Sequence, residues 1–246
     1  MGYNEVYRFA NVDVQIASEF PYVQEMCKGY RSEGEPELTI TTTQRDIDFE
    51  RERAKKVARK EGRPEPNHSD GYLETLAVYR KIAERMPFFD RMLMHGSCVA
   101  VDGAAYLFIA RSGTGKSTHT RLWRRLLGDR AVMVNDDKPL VQVAEGKAII
   151  YGTPWDGKHR LSSNVAVPLQ AVCILVRAEE NSIRPLIREE ALPMLLQQSY
   201  RPFDPAALAK TVALVDRLAG AVKLYRLGCN MNIGAAELSY TTMKEG

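Results

Sequence analysis

The chain has 246 residues, of which 26% are charged and 45% hydrophobic, with a formal net charge of +3. That length gives room for one large domain or two modest ones, each with a buried core. The charge is too small to argue for nucleic acid or an anionic membrane as partner, and no apolar run reaches the length of a membrane span. The N-terminus lacks the apolar core of a signal peptide, and Cys27, Cys98, Cys173 and Cys229 stand apart with no C-x-x-C pair. A cytoplasmic protein with reduced thiols is the reading.

Residues 1–70 read as a small α+β region. Runs at 6–9 and 12–16 suit paired strands, and 38–42 a third with Thr-rich β-propensity. Residues 44–60 carry charges at i,i+4 spacing, which predicts an exposed helix. Its Lys55, Lys56, Arg59 and Lys60 serve as a solvated face or, alternatively, as a surface for an acidic partner. Gly, Pro and Asn at 62–67 break the helix and mark a linker, and His68 beyond it is read as a surface histidine. From Asp70, taken as the N-cap, a helix is predicted to about 86, with Tyr72, Leu76, Tyr79, Ala83 and Met86 as one apolar stripe.

Asp102-Gly103 between two apolar runs predicts a β-hairpin. Its second arm, 106–109, leads into Ser112-Gly113-Thr114-Gly115-Lys116-Ser117-Thr118, and a helix is predicted over 119–127. Strand, glycine turn, Lys-Ser and helix together are the context of a phosphate-binding P-loop. Gly113 and Gly115 can turn successive N–H groups inward around a phosphate. Lys116 supplies a full charge, Ser117 an oxygen for Mg²⁺, and the helix start the positive end of its dipole. Ala110 stands where the strict pattern has glycine.

The apolar run 131–134 is taken as the strand beside the glycine-turn strand, delivering Asn135-Asp136-Asp137 at its tip. If that strand continues, the two aspartates point to opposite sides, one toward metal and one toward an acceptor. His95 is either a structural histidine at a strand start or a proton carrier beside the site. Between 148–151, read as a strand, and 171–176, a buried one, lies a loop holding Trp155, Lys158, His159 and Arg160. Lys158 or Arg160 can neutralise charge on a transferring phosphate, while Trp155 packs under the loop or stacks on a base. Helices are predicted at 188–198, where Pro193 demands a late start or a kink, from Asp204-Pro205 to Gly220, and at 235–243, with a strand at 222–227.

The His95-Gly96 step, the Asp102-Gly103 hairpin, Ser112–Thr118 and Asn135-Asp136-Asp137 together resemble the catalytic domain of HPr kinase/phosphorylase and its relative PEP carboxykinase. The Ser-Gly-Thr-Gly-Lys turn is similar to the carboxykinase version, and the His-Gly and Asp-Asp steps to HPr kinase. The resemblance covers about 92–176, with a weaker likeness of layout to the C-terminus and none over 1–70, so the chain looks like a branch beside HPr kinase. It implies an α/β fold: a P-loop nucleotide-binding core with a mixed sheet over 71–246, plus the small N-terminal α+β region. It also implies that Asp137 is the general base, that Asp136 binds Mg²⁺ or orients His95, and that ATP and Mg²⁺ are the cofactors.

The activity expected is phosphoryl transfer from ATP to a hydroxyl, the serine of a protein or peptide by resemblance, with residues 1–70 choosing the acceptor. A small-molecule alcohol is an alternative acceptor, and a nucleotide-sensing regulatory protein without turnover is an alternative function. Carboxykinase chemistry is disfavoured, since its oxaloacetate- and manganese-binding residues are not found. Homo-oligomeric assembly stays open, as HPr kinases form hexamers, and so does the choice between ATP and GTP.

Overall fold

The computed structural model describes residues 2–157 and 159–245. The chain divides into two compact units between Arg85 and Met86, where the sequence reading draws the line at 70/71. Among the described residues no helix is long and apolar enough to cross a membrane.

In the first unit, β1 (Tyr3–Phe9) and β2 (Val12–Ser18) form an antiparallel hairpin, and β3 (Leu38–Thr41) adds parallel to β2. The helices are α1 (Tyr22–Cys27), α2 (Gln44–Lys60) and α3 (Asp70–Arg85). Thr43 and Asp46 cap α2 reciprocally, as a capping box does. Ser69 rather than Asp70 caps α3, its Oγ accepting from Tyr72 N, while Asp70 pairs with Arg51. Helix α3 packs against α1, α2 and β3, which is why it falls in this unit. Contact on several sides also widens the expected stripe: Tyr79, Ala83 and Met86 are buried as expected, Leu73, Ala77, Val78 and Ile82 are buried as well, whereas Tyr72 is exposed and Leu76 half-buried. Glu74 is fully buried, its carboxylate accepting from Glu19 N (2.7 Å), Phe20 N (2.9 Å) and Thr42 Oγ1 (2.6 Å).

The second unit is α/β. One mixed sheet contains β4 (Arg91–Leu93), β5 (Ser97–Val101), β6 (Ala104–Ile109), β7 (Ala131–Asn135), β8 (Leu140–Ala144), β9 (Lys147–Tyr151), β10 (Ala166–Arg177), β11 (Ser182–Pro185) and β12 (Lys223–Cys229). The path runs β4-β8-β9-β10-β6-β5-β7, and β12 pairs with both β10 and β11. Its helices are α4 (Lys116–Leu127), α5 (Arg188–Gln198, running through Pro193), α6 (Pro205–Ala221) and α7 (Ile233–Glu245). Asp204 caps α6 as expected, accepting from Ala206 N and Ala207 N.

Strand alternation explains the layers. On β6, Ala105, Leu107 and Ile109 enter the core shared with α5 and α6. Tyr106 and Phe108 face the opposite core, with Trp123 of α4 and Met243 of α7. With helices on both faces, the central strands read as continuous apolar runs.

The hairpin at Asp102-Gly103 forms as expected, both residues at positive φ (52° and 84°). It places β5 between β6 and β7, correcting the expectation that β7 lies beside the glycine-turn strand. Since β5 is antiparallel to both, β6 and β7 point the same way, and β10 and β12 run parallel to β6.

Glu74→Leu is expected to cost about 3 kcal/mol, because the buried Thr42 hydroxyl and the amides of Glu19 and Phe20 lose their acceptor, and Glu74→Gln less. Urea unfolding measures both. A loss under about 1 kcal/mol for the leucine variant would show that these amides find other partners.

Candidate functional site

Four strands of like direction, β6, β7, β10 and β12, end at one edge of the sheet, and the polar residues singled out in the sequence gather there. At the end of β6 the chain makes a turn with Gly113 at φ 76° and Gly115 at φ 119°, a backbone that side-chain-bearing residues rarely adopt. Helix α4 begins at Lys116 directly after it, so the first-turn amides and the positive end of the helix dipole face this edge. The Lys116 ammonium folds back to donate to the Ala110 carbonyl at 3.3 Å. Burial lowers its pKa, opposed by the nearby Asp137 and Asp136 carboxylates. Ser112 and Ser117 are exposed, and Thr114 and Thr118 half-buried.

Strand β7 stops at Asn135, and the reason is local. The buried Asn135 side chain accepts from the amides of Asp137 (2.8 Å) and Lys138 (2.6 Å) and donates to Thr153 O (3.0 Å) and Oγ1 (3.1 Å). The backbone therefore turns, and the aspartates diverge from the turn rather than by strand alternation, as the sequence reading had it.

Asp136, buried, accepts from Ser97 Oγ at 2.5 Å, and Ser97 Oγ lies 2.8 Å from Thr120 Oγ1 of α4. Asp137 meets His95 Nε2 at 3.2 Å and Lys138 Nζ at 2.7 Å. Burial alone would raise the Asp137 pKa; the His95 hydrogen bond and the Lys138 charge outweigh it and bring it to about 2. Gly96 allows this approach. A Cβ there would lie 2.7 Å from Leu107 Cδ1, and its amide donates to Asp137 O (3.1 Å).

The loop after β9 folds onto the same place. Gly157 lies against Asp137, where a Cβ would come within 3.2 Å of the Asp137 Cβ. Asp156 is buried and accepts from Ser162 Oγ at 2.9 Å; burial raises its pKa, with a contribution from Asp136. Arg160 is exposed, its charge felt by Asp156, and Trp155 is buried as a packing residue. Lys158 lies outside the described residues.

The structure thus brings Lys116, Asp136, Asp137 and His95 together and adds Ser97, Thr120, Asp156 and Arg177, which the sequence reading passed over. Arg177, the last residue of β10, donates through Nη2 to the carbonyl of Gly113. No group of three His, Cys, Asp or Glu side chains arranged to hold a metal ion occurs among the described residues.

On α4, His119 is buried in an aromatic cluster with Phe108 and Trp123. Ser239 Oγ accepts from Trp123 Nε1 at 2.9 Å and lies 2.9 Å from Ala235 O and 3.1 Å from His119 Nε2. The ring's Nδ1 is buried and has no hydrogen-bond partner among the described residues. Burial pushes the ring's pKa down to about 4. Between about 6.5 and 4 the unfolded chain therefore binds a proton that the folded chain refuses, and stability falls as pH drops through that window. Going from about pH 7.5 to 5 should cost the native chain about 2 kcal/mol more than a His119→Phe variant, by urea unfolding. Equal losses in both would mean that the ring takes up its proton without unfolding.

Among known protein families, the one described as SynChlorMet cassette protein ScmC matches residues 72–210, more than half of the chain. No curated protein matches the sequence. Among solved structures, the Hpr(Ser) kinase/phosphatase from Coxiella burnetii aligns at 12% identity and a TM-score of 0.33, covering 63% of this chain and 99% of its own.

Proposed function

The chain belongs to the ScmC family, and we propose that it transfers the γ-phosphoryl group of ATP to a hydroxyl, the serine of a protein or peptide. One observation carries the reading: Lys116, at the start of α4, lies within electrostatic reach of both Asp136 and Asp137. A cation and a helix N-terminus facing two carboxylates is the arrangement that phosphoryl transfer needs, with anion binding on one side and an acidic receiver on the other. The P-loop assignment of Ser112–Thr118 and the resemblance of the His-Gly and Asp-Asp steps to HPr kinase support it further.

In this reading the amides of 113–118 and Lys116 hold the β- and γ-phosphates. The Ser117 hydroxyl and Asp136 carboxylate are hard oxygen donors and suit Mg²⁺, which needs only one or two carboxylates beside phosphate and water oxygens. When bound, Mg²⁺ neutralises charge on the phosphate oxygens. Asp137, ionised at neutral pH, takes the acceptor proton as the new oxygen–phosphorus bond forms and the bond to the β-phosphate oxygen breaks. His95 holds Asp137 through Oδ1, leaving that carboxylate aimed rather than free to rotate. Arg160 or Lys158 supplies positive charge from the loop.

The test uses the full chain with γ-labelled ATP, Mg²⁺ and an extract of the source cell, separated into proteins and metabolites. Label is expected on a protein, reduced about 100-fold or more by Lys116→Ala and by Asp137→Asn. Label on a metabolite would reassign the acceptor to a small alcohol. ATP binding without any transfer would overturn the kinase reading in favour of a nucleotide sensor.

A further inference from the structure

Beyond the glycine turn, α4 carries three arginines along its length, Arg121 and Arg125 exposed and Arg124 half-buried. Among the described residues no ion pair joins any of them to a carboxylate, that of Asp129 just past the helix included. Other arginines on this unit's surface are answered: Arg130 by Asp102, Arg184 by Glu190, Arg188 by Asp216 and Arg217 by Asp90. The last turn of a helix suits basic residues, which accounts for Arg124 and Arg125. Arg121 lies before that turn, and at i,i+3 and i,i+4 spacing it repels both of the others. Like charges held together without a counter-charge favour an acidic partner.

Beside them lies an open cleft of about 350 Å³, lined by Leu122, Arg125 and Leu126 of α4 and by Met231, Asn232 and Ile233 where β12 passes into α7. Met231 is 80% exposed and Ile233 36%. The connection that carries them is fixed before any partner arrives. Asn230 Nδ2 donates to Glu179 O (2.8 Å), its Oδ1 accepts from Asn232 N (3.0 Å), and its amide donates to Asn181 Oδ1 (3.0 Å). An apolar floor rimmed by arginine has the make-up of a protein-binding surface, where Met and Arg are enriched. A nucleic-acid backbone would use the charge but not the floor.

We propose that this surface docks an acidic segment of the acceptor chain, with its carboxylates on Arg121 and Arg125 and an apolar side chain in the cleft. The proposal rests on the protein- or peptide-acceptor reading above. Arginine's planar fork matches a carboxylate and can hold it bidentately. The docked segment is not the one that contains the serine. Arg125 stands about 14 Å along the helix axis from Lys116. An extended chain spans that distance in about four residues, so the acidic segment lies at least that far from the serine. The larger cavity beside Gly113–Gly115 is left to the nucleotide.

Fluorescence anisotropy of the full chain with three dye-labelled peptides tests this. All contain leucines and one serine, and they differ in carrying Glu, Gln or Lys around the leucines. The Glu peptide should bind about tenfold or more tighter than the Gln peptide, and the Lys peptide weakest. An Arg121→Glu, Arg125→Glu double variant should turn the preference toward the Lys peptide, that gain showing that the fold survives. Met231→Ser should weaken the Glu and Gln peptides alike, by about threefold or more, and keep their order. Equal binding of the Glu and Gln peptides, or a double variant that still prefers the Glu peptide, overturns the proposal. Displacement of the Glu peptide by ADP with Mg²⁺ also overturns it, by putting the peptide in the nucleotide site. An oligothymidylate that binds more tightly than the Glu peptide, and is lost in the double variant, would make the surface one for nucleic acid. Failure of the acceptor reading looks different: the Glu peptide would bind, yet the labelled extract would carry phosphate on no protein.

Discussion

The site depends on how β6 is paired. On one side it hydrogen-bonds antiparallel to β5, on the other parallel to β10, and neither arrangement alone would assemble the edge. The antiparallel neighbour reverses the chain through a two-residue turn, so β7, reached through α4, points the same way as β6 from two strand positions away. The parallel neighbours β10 and β12 then bring Arg177 and Cys229 to the same end. Ser97, which opens β5, also arrives there because its strand runs the opposite way, and with Thr120 it links α4 to Asp136. The width of β5 thus separates the glycine turn from the acidic step by about 10 Å of sheet, and side chains reach across it.

That gap is crossed by charge as well as by hydrogen bonds. Lys116 is pulled down by burial and held up by two carboxylates, each occupied differently. Asp136 has a neutral hydroxyl as donor, whereas Asp137 has an imidazole on one oxygen and an ammonium on the other. Adjacent aspartates of identical chemistry are thereby given unlike surroundings, and unlike surroundings are what separate the roles of paired carboxylates.

What could be read from the sequence was whatever its chemistry keeps contiguous. Gly-Thr-Gly-Lys-Ser before an amphipathic run, Asp-Gly between apolar runs and Asp-Pro before a helix are local signals, and α4, the hairpin and the cap of α6 stand where those signals put them. The order of strands was not local. Nothing in 131–137 says that another strand intervenes, and nothing in Asn135 alone says that its side chain will bond two following amides and end the strand. Asp156, Ser97 and Arg177 were missed because each acquires its meaning from a partner far away in the chain. The signal that could have found Arg177 was its place at the end of a buried strand. The span of helix α3 was legible but the breadth of its buried surface was not: a one-stripe reading supposes one neighbour, and this helix has three. Strand β8 had a usable signal, the alternation before Glu145-Gly146, whose positive φ values (51° and 70°) form the turn to β9.

Ala110 stands where the stricter pattern has glycine, and it has no solvent exposure at all. Its methyl group belongs to the core shared by α4, α7 and the sheet, while its carbonyl receives the Lys116 ammonium. The turn is consequently rooted in the hydrophobic interior at its first residue rather than hinged there. A residue with a Cβ also restricts the unfolded chain more than glycine does, worth about 0.4–1 kcal/mol where the native backbone accepts it. Glycine at this position would leave the polar contacts of the turn in place, yet loosen its anchor and empty a methyl-sized space beneath it.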